Sequence, residues 1–205
     1  TRRTADGRIN ELLDDAFSGA RVFQGGGNEI TGGDLRDRVM EAADHSLQRL
    51  YPQFHLADHP GWDKVLSRAQ KGSPDALKAV GFDGEASSHP VSRAISLYIN
   101  GGKTGARIRD HFEAPPVGGP RDAVDGGLQV LLVSGVIRAE DDAGRVIDLK
   151  SMDRKKIGKS RFKIEATTVS TGQRIQIRKV LQKAGVSAKS GEELMAVPDF
   201  LQKLE

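Results

Sequence analysis

The stretch TGARIRDHFEAPPVGGPRDAVDGGLQVLLVSGVIRAEDDAGRVI, residues 104–147, decides the predicted fold. Its apolar spacing predicts a helix, a turn rich in proline and glycine, a second helix that ends before a glycine, and a β-hairpin. These elements are predicted over Thr104 to Phe112, 113–120, 121–134, and 136–139 with 145–147. Helix, turn, helix and hairpin is the order of a winged helix.

Before and after this stretch, the spacing of apolar residues predicts mainly helices. Apolar residues recur every three or four positions between Ile9 and Ala20, between Asp34 and Pro52, and after Pro60, which predicts helices there. Gly25 to Gly27 predicts the tip of a small hairpin. Residues 90–99 fit a helix or a strand, and we favour a helix. Possible capping boxes at Ser170 and at Ser190 to Glu193 predict two further helices.

The predicted fold class is therefore mainly α, with some β structure. We expect a helical domain with a small Gly-rich hairpin over residues 1–89, a winged-helix-like module over 90–149, and a basic segment with C-terminal helices over 150–205. The chain has 205 residues, of which 37% are hydrophobic. This composition favours a folded protein of one or two domains over wholesale disorder.

The composition excludes several classes of function. The chain has no cysteine, which removes disulfide frameworks, thiolate zinc sites, Fe–S clusters and cysteine nucleophiles. No run of eighteen uncharged apolar residues occurs, so no membrane span and no membrane partner are expected, and a cytoplasmic location is predicted. The first residue is Thr1, and the last residues lie within a charged helical pattern. We therefore expect the chain to be a module of a longer protein.

Charge is unevenly distributed along the chain. Residues 1–100 carry a net charge of −2 and residues 101–205 a net charge of +5, while residues 145–183 alone reach +9. Such a basic cluster is typical of a nucleic-acid contact, and a solvated face or a contact with an acidic partner protein is an equally good interpretation. The predicted contact residues are Lys150, Arg154, Lys155, Lys156, Lys159, Arg161, Lys163, Arg174, Arg178, Lys179, Arg121 and Gln129.

The second helix of the module lies where a winged helix places its recognition helix. Its start carries Arg121, Asp122 and Asp125, and only Gln129 is a good base reader farther along. Because two carboxylates would repel a groove lined by phosphates, sequence-specific readout by this helix is not expected. Contacts from the basic segment should instead reach the DNA backbone without reading sequence.

No catalytic site and no metal site are predicted. Asn100 to Thr104 ends like a nucleotide-binding loop, but the glycine that a complete phosphate loop needs is replaced by Leu97, so a turn at a helix start is the better interpretation. His55 and His59 are four residues apart, yet Pro52 and Pro60 flank them, which favours a surface loop over a metal site. We expect this chain not to be an enzyme and to need no cofactor.

Several segments together resemble the large P-loop ATPases of BREX phage-defence systems, the BrxC/PglY type. The main ones are PPVGGPRDAVDG (115–126) and VSGVIRA (133–139), with support at 50–54, 84–85, 89–91, 108–112 and 173–178. The resemblance implies a region downstream of the ATPase core, in a parent protein that uses ATP and Mg²⁺. It also implies other phage-defence components, such as a DNA methyltransferase, as partners. The nucleotide-binding residues of that family have no matching positions here.

The expected function is that of a non-catalytic domain of such an ATPase. The winged-helix-like module and the basic surface would make sequence-independent contact with double-stranded DNA or dock a subunit. The alternative is a free-standing winged-helix transcriptional regulator, which would act as a dimer on a palindromic operator.

Overall fold

The computed structural model describes residues 2–166, 169, 171–188 and 193–204. The chain divides into two compact units, Thr1–Pro52 and Gln53–Glu205. The described residues are mainly helical, with one two-stranded and one three-stranded antiparallel sheet, which confirms the predicted fold class. None of the helices among them is long and apolar enough to cross a lipid bilayer.

The first unit contains two helices and a hairpin. Its elements are α1 (Arg2–Ser18), β1 (Val22–Phe23), β2 (Glu29–Ile30) and α2 (Leu35–Leu50). The predicted Gly-rich hairpin is confirmed, since Val22 pairs with Ile30 across the glycine turn. Asp34 caps α2 in a capping box with Asp37, which explains why the helix begins at Leu35. Ile30 is the buried hydrophobic residue among the described part of this unit.

The second unit has its core around one central helix. It contains α3 (Trp62–Gln70), α4 (Pro90–Ile99), α5 (Gly105–Glu113) and α6 (Arg121–Val133). The helix predicted over residues 90–99 is confirmed. Helix α6 lies against α3 and α4, and two glycines allow this close approach. A Cβ at Gly126 would lie 3.1 Å from the Trp62 ring, and one at Gly127 would lie 2.7 Å from Cδ1 of Ile95.

The remaining elements of the second unit add a three-stranded sheet and further helices. They are β3 (Lys103–Thr104), β4 (Ile137–Glu140), α7 (Arg154–Lys159) and β5 (Arg161–Ile164), followed by α8 (Thr171–Lys183) and α9 (Val197–Gln202). Along the chain the module runs α4, β3, α5, α6, β4, α7, β5, and its sheet has the order β3-β5-β4. Both strand pairs are antiparallel, with Thr104 opposite Arg161 and Ile137 opposite Ile164.

The predicted hairpin forms in part, and the sheet adds a longer pairing that the sequence did not predict. Residues 145–147 were expected to pair with 136–139, but β4 pairs along its length with β5. The predicted partner pairs over a shorter stretch, through an isolated bridge between Glu140 and Val146 and through hydrogen bonds from Ile147 N to Ala139 O at 2.8 Å and from Asp141 N to Arg145 O at 2.9 Å. The physical reason is burial. Pairing with β5 buries Phe162 completely, whereas Val146 stays 68% exposed.

The two compact units do not coincide with the domain boundaries predicted at 89/90 and 149/150. Helix α3 precedes the first predicted boundary and packs on α6, which follows it. Ile157 and Phe162 follow the second boundary and belong to the same hydrophobic core as α6. The two predicted capping boxes depend on Ser170 and Ser190, which lie outside the described residues.

Candidate nucleic-acid interface

The basic segment forms the short helix α7 between β4 and β5. Asp153 caps this helix by accepting a hydrogen bond from Lys156 N at 2.7 Å. That bond is the first cause of the lowered pKa of Asp153. Ile157 is fully buried, while Lys155, Lys156 and Lys159 are exposed. Helix α7 therefore has one residue in the core and presents its lysines to solvent.

Close backbone packing fixes α7 against α5. Gly105 N donates to Ser160 O at 2.9 Å, and a Cβ at Gly105 would lie only 1.9 Å from the carbonyl oxygen of Ile157. No side chain fits in that space, so glycine is required at this position. The lysines of α7 are consequently held at a defined place on the module.

Arg109 joins three helices at this place. Its guanidinium binds both carboxylate oxygens of Asp125 in α6, at 2.7 and 2.8 Å, and donates to the backbone carbonyl of Arg154 in α7 at 2.8 Å. The Asp125 side chain is completely buried and that of Arg109 is 14% exposed. Composition and charge counting did not single out Arg109, because its role depends on a carboxylate sixteen residues away. It positions α7 and is itself largely inaccessible.

Four of the predicted contact residues are neutralised by ion pairs. The pairs are Arg154–Asp122 at 2.8 Å, Arg121–Glu113 at 2.7 Å, Lys163–Glu140 at 2.7 Å, and Arg178–Glu193. Hydrogen bonds from Lys163 and Arg138 hold the pKa of Glu140 below its usual range, and a hydrogen bond from Arg121 does the same for Glu113. Both carboxylates are therefore ionised at neutral pH and offset the adjacent positive charge.

Four other predicted residues are exposed and make no ion pair with any carboxylate in the described part of the chain. They are Lys155, Lys156, Lys159 and Arg161. Lys159 lies four residues after Lys155 and three residues after Lys156. Residues at these spacings are neighbours on a helix surface, so the three lysines project close to one another. Arg161 begins the strand that follows. We call these four residues the α7 cationic surface.

The other basic residues predicted to make contact lie elsewhere. Arg174 of α8 donates to the backbone carbonyls of Ser134 and Val169, so its guanidinium serves to attach α8. Lys179 is exposed on the same helix. Lys150 falls in a 3-10 turn over Leu149–Ser151, and its side chain lies outside the described residues. These residues are not brought together with α7 by any contact that the structure describes.

The prediction that Gln129 contacts a nucleic acid or a partner is wrong. Its side chain is completely buried, and its amide nitrogen donates to Met152 O at 3.1 Å. It therefore cannot contact a nucleic acid or a partner as predicted. The cause is the covering of α6, in which residues 123–131 are all buried. The glycine pair 126–127 was the sequence signal for this covering, because glycines within a helix mark close approach by a neighbour.

The structure describes local hydrogen bonds at the two weaker candidate sites. Thr104 caps α5 by accepting from Arg107 N, and the amide of Gly105 is already bound to Ser160, so the loop at 100–104 is a turn at a helix start. His59 Nδ1 accepts from Gly61 N at 3.0 Å. No group of three metal-binding side chains occurs within the described ranges.

No protein-family model, curated protein or solved structure matches this chain.

Proposed function

We propose that this chain is a non-catalytic winged-helix-like module that contacts the phosphate backbone of double-stranded DNA through the α7 cationic surface. The observation that carries the proposal is the contrast between four exposed, unpaired cations on and beside α7 and the burial of α6. The exposed cations supply charge that binds phosphates. The burial of α6 makes the side chains that would read bases inaccessible.

The chemistry of these side chains favours backbone contact. A lysine ammonium is a flexible point charge that attracts a phosphate without the fixed geometry that base recognition needs. Each phosphate neutralised releases condensed counterions, which changes the slope of log K against log salt by about −0.9. Three lysines at neighbouring positions should therefore give binding that is salt-dependent and indifferent to sequence.

The same proposal places the module in a phage-defence ATPase of the BREX type, on the strength of the segments around residues 115–139. ATP and Mg²⁺ would then be bound elsewhere in the parent protein, and no nucleotide hydrolysis is expected from this chain. A DNA methyltransferase gene beside the full gene is the expected observation. A gene neighbourhood without any phage-defence gene would contradict the placement in a BREX-type ATPase. It would not bear on the proposed DNA contact, which the binding experiment tests separately.

The test is a fluorescence anisotropy titration of random-sequence duplex DNA with this chain over a salt series. Replacing Lys155, Lys156 and Lys159 by Glu should weaken binding at least about ten-fold at low salt and reduce the salt slope by about three. The matched control replaces Lys64, Lys71 and Arg93 by Glu, which makes the same change in net charge at exposed positions away from α7. The control should bind within about two-fold of the original chain.

Two outcomes would overturn the proposal. One is the absence of duplex binding at low salt, or equal weakening by the α7 variant and its control. The other is recovery of a defined sequence motif from a random DNA pool, which would require base readout that the buried α6 does not offer.

A further inference from the structure

The α7 cationic surface borders a cleft of about 280 Å³ that two aspartates also line. Its lining consists of Lys156, Lys159 and Ser160 from α7 and the residue after it, and of Asp141, Asp142 and Ile147 from the segment after β4. Residues 141–144 form the turn that follows β4. Lysines that would bind phosphates therefore share a small space with two carboxylates of the same chain.

The two aspartates of this cleft have different roles. Asp141 builds the turn, because one of its carboxylate oxygens accepts from the backbone amides of Ala143 and Arg145, both at 2.9 Å. The other oxygen accepts from the Arg145 guanidinium at 2.9 Å. These bonds, the backbone bond from Arg145 first, lower the pKa of Asp141. Its charge is thus already satisfied within the turn.

Asp142, the second aspartate of the cleft, takes no part in building the turn. It is exposed, and within the described ranges it makes no hydrogen bond or ion pair. The turn keeps its shape through Asp141 and through the bond from Asp141 N to Arg145 O at 2.9 Å. The Asp142 side chain is therefore not needed for folding, and its charge acts on the cleft it lines.

We infer that Asp142 restrains nucleic-acid binding by competing with phosphate for Lys156 and Lys159. This inference rests on the proposed function and adds regulation to the same surface. A carboxylate that lines the same cleft as two lysines lowers the local positive potential that attracts DNA. A phosphate entering the cleft must also approach that carboxylate, which repels it. The module is thereby limited to weak and reversible contact.

The experiment replaces Asp142 by Asn and measures affinity for the same random-sequence duplex. Binding should tighten about three-fold at low salt, and the gain should disappear at high salt because screening removes the repulsion. The control is Asp44→Asn on α2, which removes the same charge from an exposed residue outside the cleft. The control should leave affinity within experimental error of the original chain.

A second arm tests the mechanism. In a background with Lys156 and Lys159 replaced by Gln, Asp142→Asn should no longer change affinity, because the cations it opposes are gone. If the α7 lysines carry binding but Asp142→Asn equals Asp44→Asn, the restraint is refuted and the proposed function stands. If the gain persists without the two lysines, the competition is refuted. If α7 reversal does not weaken binding, the proposed function itself fails.

Discussion

Helices α6 and α7 belong to one module, but most residues of α6 are buried and most residues of α7 are exposed. Nine consecutive residues of α6, 123–131, are buried. In α7, Ile157 is the one buried residue. The helix that a winged-helix order would assign to base recognition is the centre of the core, and the short helix after β4 carries the exposed charge. Order along the chain therefore does not by itself identify the contact surface; burial does.

The difference arises from the neighbours of each helix. Helix α6 is covered by α3 and α4, which approach it closely at Gly126 and Gly127. Helix α7 contacts α5 along one side, at Gly105 and through Arg109. Helix α6 is thus enclosed by its neighbours, whereas α7 is attached along one side and exposed on the rest of its surface.

The largest effect is expected from Arg109→Ala. It leaves the Asp125 carboxylate buried without its partner and removes the bond to α7, so unfolding free energy should fall by about 3–5 kcal/mol. Urea denaturation measures this loss. Replacing both Arg109 and Asp125 by apolar residues should recover much of the stability, because no unpaired charge remains. A loss below about 1 kcal/mol in the single variant would show that the pair does not join the helices.

An intermediate effect is expected from Gly105→Ala. The new methyl group meets the Ile157 carbonyl, so α7 must shift, and stability should fall by about 1–3 kcal/mol. DNA affinity should fall as well, since the lysines move with α7. Gly7→Ala in α1 is the control, because nothing lies within 4 Å of its Cβ position and alanine favours a helix by about 1 kcal/mol. Equal effects of the two substitutions would contradict the close packing of α7.

The smallest effect concerns His89, which caps α4 where that helix covers α6. Its Nδ1 accepts from Val91 N at 3.2 Å, and burial lowers its pKa. The neutral ring is thus favoured in the folded protein, so stability is constant above the unfolded pKa of about 6.5 and falls as pH drops through the lower folded pKa. The slope should not exceed about 1.4 kcal/mol per pH unit.

Urea denaturation at several pH values between neutral and mildly acidic conditions measures this slope. His89→Asn keeps a side-chain oxygen that can cap the helix and removes the titrating ring. The variant should therefore show a flatter pH dependence in the same window. An unchanged slope would assign the pH dependence to other groups.

Local patterns predicted the helices of the module well. The expected helix over Thr104 to Phe112 is Gly105–Glu113, and the one over 121–134 is Arg121–Val133. These elements depend on apolar spacing and end signals within one segment. Strand pairing was predicted less well, since β4 pairs with β5 across an intervening turn and helix. Nothing local to residues 136–147 indicates that partner.

The count of charged residues located the basic segment of α7, but it could not show which nearby cations form ion pairs. The ion pairs Arg154–Asp122 and Lys163–Glu140 join residues that are more than twenty positions apart, so the sequence could not show which cations are neutralised. Gln129 was misjudged for the same reason, because its buried amide binds the backbone carbonyl of Met152, a residue 23 positions away.

The sequence by itself determined the helical segments, their caps and the concentration of positive charge between residues 145 and 183, because these depend on local spacing and on composition. Only the tertiary structure decided which of those residues reach solvent. Burial of α6 and pairing of distant charges leave Lys155, Lys156, Lys159 and Arg161 as exposed cations, on and beside α7, that make no described ion pair. Exposure is a property of packed neighbours, and neighbours in this fold come from distant parts of the chain.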